Sequence, residues 1–260
     1  LEEGAEVTVE ANPGTLTGDR LEVLRGSGVT RISIGAQSFS DDVLAELGRG
    51  HTAADALNAF DRARQAGFDN IGVDLIYGVP GQDRERWAAT LHRLLDLRPD
   101  HLSIYSLSAD EGSRLKSRCD AGTAALPDED LVANLYLDAC AILAGAGFIH
   151  YEISNFCLPG RECRHNMHYW RRGEYLGLGP SAWSFIGGHR WRNLADTTVW
   201  AGRLAAGMPA VESVDDAGAA LERSETLMLG LRTAAGIDLE GYGAVFGAEA
   251  KRSLEERAAA

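Results

Sequence analysis

The chain has 260 residues, 45% of them hydrophobic, and a formal net charge of −13 at pH 7. This size and balance suit one large α/β domain with part of a second. The acidic excess argues against nucleic acid and against an anionic membrane surface, since both favour basic patches. No apolar run is long enough to cross a membrane, and no signal-peptide pattern opens the chain. The start, Leu1-Glu2-Glu3, has no initiator Met and reads as cut. Cys119, Cys140, Cys157 and Cys163 are unevenly spaced and fit a reducing cytoplasm better than a disulfide framework.

Alternating Val7-Thr8-Val9-Glu10 predicts a first strand, which ends at Ala11-Asn12-Pro13-Gly14. Thr17 then caps a helix closed by Gly26-Ser27-Gly28. A second strand over 31–36 ends at Gln37, and Ser40 caps a short helix over 41–47 with acidic residues in its first turn. After the polar loop Gly48-Arg49-Gly50-His51, Thr52 opens a longer helix carrying Leu57, Phe60 and Ala63. The third strand, Ile71-Gly72-Val73-Asp74-Leu75-Ile76-Tyr77, is almost wholly apolar and breaks into Gly78-Val79-Pro80-Gly81. Burying its one carboxylate, Asp74, is costly without a partner or a ligand. A helix over 83–97 places Trp87, Leu91, Leu94 and Leu95 on one side, and a fourth strand covers 101–107.

Strand and helix alternate at a period of about 30 residues, which implies parallel strands joined by right-handed crossovers. A (β/α) barrel or an open doubly wound sheet follows, and either gathers its functional residues at the carboxyl ends of the strands. Glu10, Gln37, Asp74 and Ser106 to Ser108 occupy those positions. Further on, 109–125 reads as polar and irregular, 131–143 as a helix and 149–154 as a strand. The aromatic, glycine-rich stretch 155–185 shows no clear period; a helix is expected after Ala195 up to Gly207 and a second from Ala217 to Arg232.

Several motifs in order resemble one family. They are Val9-Glu10-Ala11-Asn12-Pro13-Gly14-Thr15, Ile32-Ser33-Ile34-Gly35-Ala36-Gln37-Ser38-Phe39 and Leu47-Gly48-Arg49-Gly50-His51. Asp74-Leu75-Ile76-Tyr77-Gly78-Val79-Pro80-Gly81-Gln82, Leu102-Ser103-Ile104-Tyr105-Ser106-Leu107, His150-Tyr151-Glu152-Ile153-Ser154-Asn155-Phe156 and His165-Asn166-Met167-His168-Tyr169-Trp170 continue the series. The chain resembles the radical SAM proteins related to oxygen-independent coproporphyrinogen III oxidase, and within them the HemW-like branch described as haem chaperones. The resemblance implies a partial (β/α)6, TIM-like barrel over 1–207, truncated at its N-terminus, and the start of a small helical C-terminal domain over 211–260. It implies S-adenosylmethionine (SAM), a [4Fe–4S] cluster and haem as the bound groups. It carries SAM contacts onto Glu10, Gln37, Arg49 and Asp74, with backbone contacts near Ser108 and Trp183. The ribose diol and amino-acid group of SAM match such carboxylates, amide and guanidinium.

The family's CxxxCxxC cluster loop would precede Leu1, and the four cysteines here do not supply it, so no metal ligand is assigned and this chain alone is expected to bind no cluster and cleave no SAM. Trp183 stands where many relatives carry His. For haem, His165 is the expected axial ligand and His168 the next. The expected function is that of a cytoplasmic haem chaperone, with haem-accepting proteins as partners. The alternatives are the oxidative decarboxylase of coproporphyrinogen III and, outside the family, a metal-free barrel lyase using Asp74 and Glu10 as acid and base.

Overall fold

The computed structural model describes residues 2–216 and 218–258. The chain divides into two compact units, the first ending at Cys163 and the second starting at Arg164. This division by packing lies ahead of the family-derived limit at 207–211, which remains a proposal.

The first unit runs β1 (Thr8–Ala11), α1 (Gly18–Gly26), β2 (Arg31–Gln37), α2 (Asp41–Glu46), α3 (Ala53–Gln65), β3 (Ile71–Tyr77), α4 (Arg84–Asp96) and β4 (His101–Ser106). It continues with α5 (Arg114–Asp120), α6 (Glu129–Gly145), β5 (Ile149–Glu152) and β6 (Asn155–Cys157). The sheet order is β1-β2-β3-β4-β6-β5, with β1 to β4 parallel, as the β/α period requires. Alternation sorts the strand residues. Ile32, Ile34, Ala36, Ile71, Val73, Leu75, Leu102 and Ile104 are buried in the hydrophobic core. Arg31, Ser33, Gln37, Asp74, Ser103 and Tyr105 fall on the opposite face of the pleat.

The helices are built to cover the apolar face. α3 starts in a capping box between Thr52 and Asp55 and buries Phe60 with Ala53, Ala56, Ala59 and Ala63, alanines that let it lie close to the strands. Asp83 caps α4, which buries Trp87, Leu91 and Leu94, and the Trp87 indole N–H donates to the Leu135 carbonyl at 2.8 Å. Thr17 and Ser40 occupy N-cap positions, but neither side chain makes the capping bond.

Three segments differ from expectation. The strand expected over 149–154 is a hairpin in which Glu152 accepts from the Ser154 amide at 2.9 Å and from the Asn155 side chain, and β6 joins β4 antiparallel. A Glu-closed turn carries no Gly or Pro signal. The polar stretch 109–125 contains α5, capped by Ser113 but burying no residue, so it has no apolar period to detect. The stretch expected to be irregular from 155 contains both β6 and α7 (Arg164–Trp170).

The second unit begins with α7 and continues β7 (Trp183–Ile186), β8 (His189–Asn193), α8 (Thr197–Ala205), β9 (Val211–Asp216), α9 (Ala219–Gly230), α10 (Leu239–Phe246) and α11 (Ala248–Ala258). β7, β8 and β9 form an antiparallel sheet. The expected helix from Ala217 is α9; Ala217 itself lies outside the described residues. Among the described residues no helix is long and apolar enough to cross a membrane.

Candidate functional site

The polar face of the first sheet is the candidate site. Glu10 on β1 is in register with Ser33 on β2, and Asp74 on β3 with Ser103 on β4. The Ser33 hydroxyl donates to Asp74 Oδ1 at 3.1 Å, so hydroxyls on both flanking strands serve one carboxylate. Asp74 keeps part of its surface open, yet its carboxyl is crowded by protein atoms. Desolvation therefore raises its pKa, the Ser103 and Ser33 hydroxyls oppose this, and the Glu10 carboxylate adds to it. Among the described residues neither Glu10 nor Asp74 forms an ion pair.

Below this pair lies a buried cation. Arg31 is 3% exposed, and its Nη2 donates to His101 Nδ1 at 3.1 Å. That bond makes Nδ1 the acceptor, so Nε2 carries the proton and donates to the Tyr151 hydroxyl at 2.7 Å. The Tyr151 oxygen also accepts the Cys163 amide at 3.3 Å. Burial, with Arg31 alongside, holds the His101 pKa well below its usual value. Gly72 makes room for the network: a Cβ there would lie 2.9 Å from Ser33 Oγ and 3.0 Å from Arg31 Nη2. Arg31, Ser33, His101 and Ser103 are therefore part of the site although no sequence signal selected them. Alternation with the core residues is the signal that could have done so.

The remaining residues occupy the strand ends and their loops. Gln37 closes β2 with φ +64°, a left-handed conformation that costs a non-glycine residue energy and recurs at ligand sites. His51 Nε2 donates to the Ala36 carbonyl at 3.0 Å and ties the Gly48-Arg49-Gly50 loop to that strand end. Arg49 is exposed. Glu46, three residues before it, is taken by Arg118 at 2.6 Å. Ser108 donates to Asp110 at 2.8 Å in the loop after β4. A cavity of about 220 Å³ lined by Gly48, Pro80, Leu107 and Ser108 sets the loops after α2, β3 and β4 side by side. The structure thus brings Glu10 and Asp74 onto one face, with Gln37 and the loops of Arg49 and Ser108 at the strand ends.

Trp183 and His165 belong to the second unit. Trp183 is 41% exposed at the start of β7. The exposed His165 ring meets Tyr169 edge-on, and Tyr169 meets Tyr175 in the same way, with centroids 4.7 and 4.6 Å apart. His168 Nε2 lies 2.6 Å from the Glu174 carbonyl, which fixes the turn after α7.

A cationic ligand suits the polar face. Glu10 and Asp74 share this face without a direct ion pair, and Arg31 only partly offsets the crowding that raises Asp74, so a positive charge placed between the two carboxylates gains stability; SAM carries a sulfonium and an ammonium. The thiols do not suit a [4Fe–4S] cluster. Among the described residues no group of three or more His, Cys, Asp or Glu is arranged to hold a metal. All four cysteines are free, and burial pushes the Cys157 thiol up to about 12, away from the thiolate a cluster needs.

The first 94 residues match the Radical SAM superfamily model. The match marks this part of the chain as similar to that superfamily. It is 38% identical over 242 residues to the heme chaperone HemW of Lactococcus lactis, an alignment covering 93% of this chain and 63% of that protein. It is 44% identical over 178 residues to the mitochondrial radical S-adenosyl methionine domain-containing protein 1 of mouse, covering 68% of this chain and 40% of that protein. The solved structure of coproporphyrinogen III oxidase (HemN) from Escherichia coli superposes with a TM-score of 0.78 at 22% identity, over 93% of this chain and 58% of that one, a likeness of fold. The chain thus spans less than two thirds of the length of these relatives.

Proposed function

We propose that this chain is the SAM-binding and haem-handling part of a cytoplasmic haem chaperone that delivers haem to acceptor proteins. The observation that carries the reading is the 93% coverage of this chain at 38% identity to a protein named heme chaperone, which extends beyond the radical SAM match and through the second unit. In this reading Glu10 and Asp74 take the cationic end of SAM, Gln37 reaches its polar groups from the strand end, and the Arg49 and Ser108 loops close over it. SAM supplies a sulfonium-activated adenosyl group. Trp183 remains in the proposal as a backbone contact. The [4Fe–4S] cluster belongs to the proposed whole protein, and the thiols described above do not hold it.

His165 enters the proposal as the haem iron ligand, because its imidazole is exposed and its ring is backed edge-on by Tyr169. Titration with haemin, followed by absorption, tests both statements. The chain is expected to bind haemin, and His165→Ala to weaken binding and shift the haem absorption band. A chain that binds no haemin refutes the chaperone reading. An unchanged band and affinity in His165→Ala leaves His165 as a structural residue.

A further inference from the structure

The second unit contains a cavity of about 640 Å³, within the range of roughly 300–1,000 Å³ found for small-molecule sites. It lies against α7 on the side away from His165. Met167 and Trp170 of α7 form one wall, and Tyr242 and Phe246 of α10, whose rings meet at a tilt with centroids 4.8 Å apart, form another. On a helix, positions 167, 170 and 171 share a face, whereas 165 and 169 lie on the opposite one.

Two arginines give this apolar cavity a polar edge. Arg171 is exposed and makes no ion pair among the described residues. Arg172 follows the last turn of α7 at φ +56°, held by its amide on the Tyr169 carbonyl at 2.9 Å. Its Nε and Nη1 bond Glu225 and Glu222 at 3.1 and 2.8 Å, and the guanidinium sits 4.6 Å from the centre of the Phe185 ring. Its Nη2 is buried and has no hydrogen-bond partner. A left-handed arginine with one unsatisfied N–H direction, beside an apolar cavity and a second cation, is a costly arrangement for packing alone. Arg171, exposed at the cavity edge, is the cation that a ligand carboxylate can reach. Asp238, also in the lining, is occupied in capping α10 through the Glu240 amide at 3.1 Å.

We propose that this cavity binds a flat, carboxylate-bearing tetrapyrrole, with Met167, Trp170, Tyr242 and Phe246 against the ring and Arg171 at a carboxylate. It is a site separate from His165, and it rests on the haem-handling reading above. Iron-free protoporphyrin is the informative probe, because it keeps the plane and the carboxylates and cannot use an imidazole ligand. The experiment titrates the chain with protoporphyrin and follows quenching of tryptophan fluorescence. Val245→Trp, at an exposed position on the cavity lining, narrows the space; Arg171→Glu reverses the charge at its edge. Each is expected to weaken binding by about tenfold, the equivalent of one charge-assisted hydrogen bond. Val199→Trp, exposed on α8 and outside the cavity, is expected to leave affinity unchanged. Protoporphyrin bound with equal affinity by the chain and by both cavity variants overturns the cavity and leaves the haem reading standing. A chain that binds neither haemin nor protoporphyrin overturns the reading and the cavity together.

Discussion

Replacing Asp74 with Asn is expected to lower the affinity for SAM by about ten- to a hundredfold, the range for losing one charge-assisted contact. The same change is expected to leave the ligand-free protein at least as stable at neutral pH. Asn keeps an oxygen to accept from the Ser33 hydroxyl, while the charge that is expensive at this position is gone. The sign follows from the raised pKa of Asp74. The folded state holds its proton more tightly than the unfolded state, so the stabilising contribution is present below the ordinary Asp value of about 3.9 and is lost as pH rises through the folded value. The advantage of Asn over Asp should therefore be absent in acid and appear as pH rises. Denaturant titrations of both proteins across this range measure it. A variant that is less stable at pH 7 and binds SAM normally would show Asp74 to be an ordinary core carboxylate.

Gly72→Ala is expected to destabilise the fold by about 1–3 kcal/mol, the usual cost of overpacking. The added Cβ meets Ser33 Oγ, Arg31 Nη2 and, at 3.4 Å, His101 Nδ1, and none of these has free space to enter. Arg31 Nε is already buried without a partner, so a displaced guanidinium would lose one of its few remaining bonds. The same network sets an acid limit. His101 is neutral in the fold, with its pKa well below the ordinary value of about 6.5. Stability should thus fall as pH drops below that value, by up to about 1.4 kcal/mol per pH unit, until the folded pKa is reached. His101→Gln should flatten that slope. Equal stability of Gly72→Ala and the unmodified chain would mean that the network yields without cost.

Much of the first unit was legible in the sequence because its physics is local. Thr52 and Asp83 cap where an apolar helical period begins, and β2 and β3 are short apolar runs bounded by turn residues. Register was legible in part: Glu10 and Asp74 could be assigned to one parallel series of strands, with β2 between them, but the serines that serve Asp74 were not singled out. Alternation with core residues marks the face of Ser33 and Ser103, but their role appears only when pairing places them on either side of Asp74. Arg31 and His101 are 70 residues apart and meet only across the sheet. In the second unit α7 buries no residue, so it leaves no apolar period to detect, and its end depends on a left-handed Arg172 rather than on glycine. The Glu152–Asn155 turn escaped detection for the same reason, since side chains rather than turn residues close it.

The most direct measurement of the SAM site is the backbone amide spectrum of the isotope-labelled chain, recorded as SAM is added. The predicted result is a set of shifts centred on Glu10, Gln37 and Asp74, spreading into the Arg49 and Ser108 loops and absent in Asp74→Asn. Shifts centred on another face of the first unit, or a spectrum that SAM leaves unchanged, would contradict the assignment of this polar face as the SAM site.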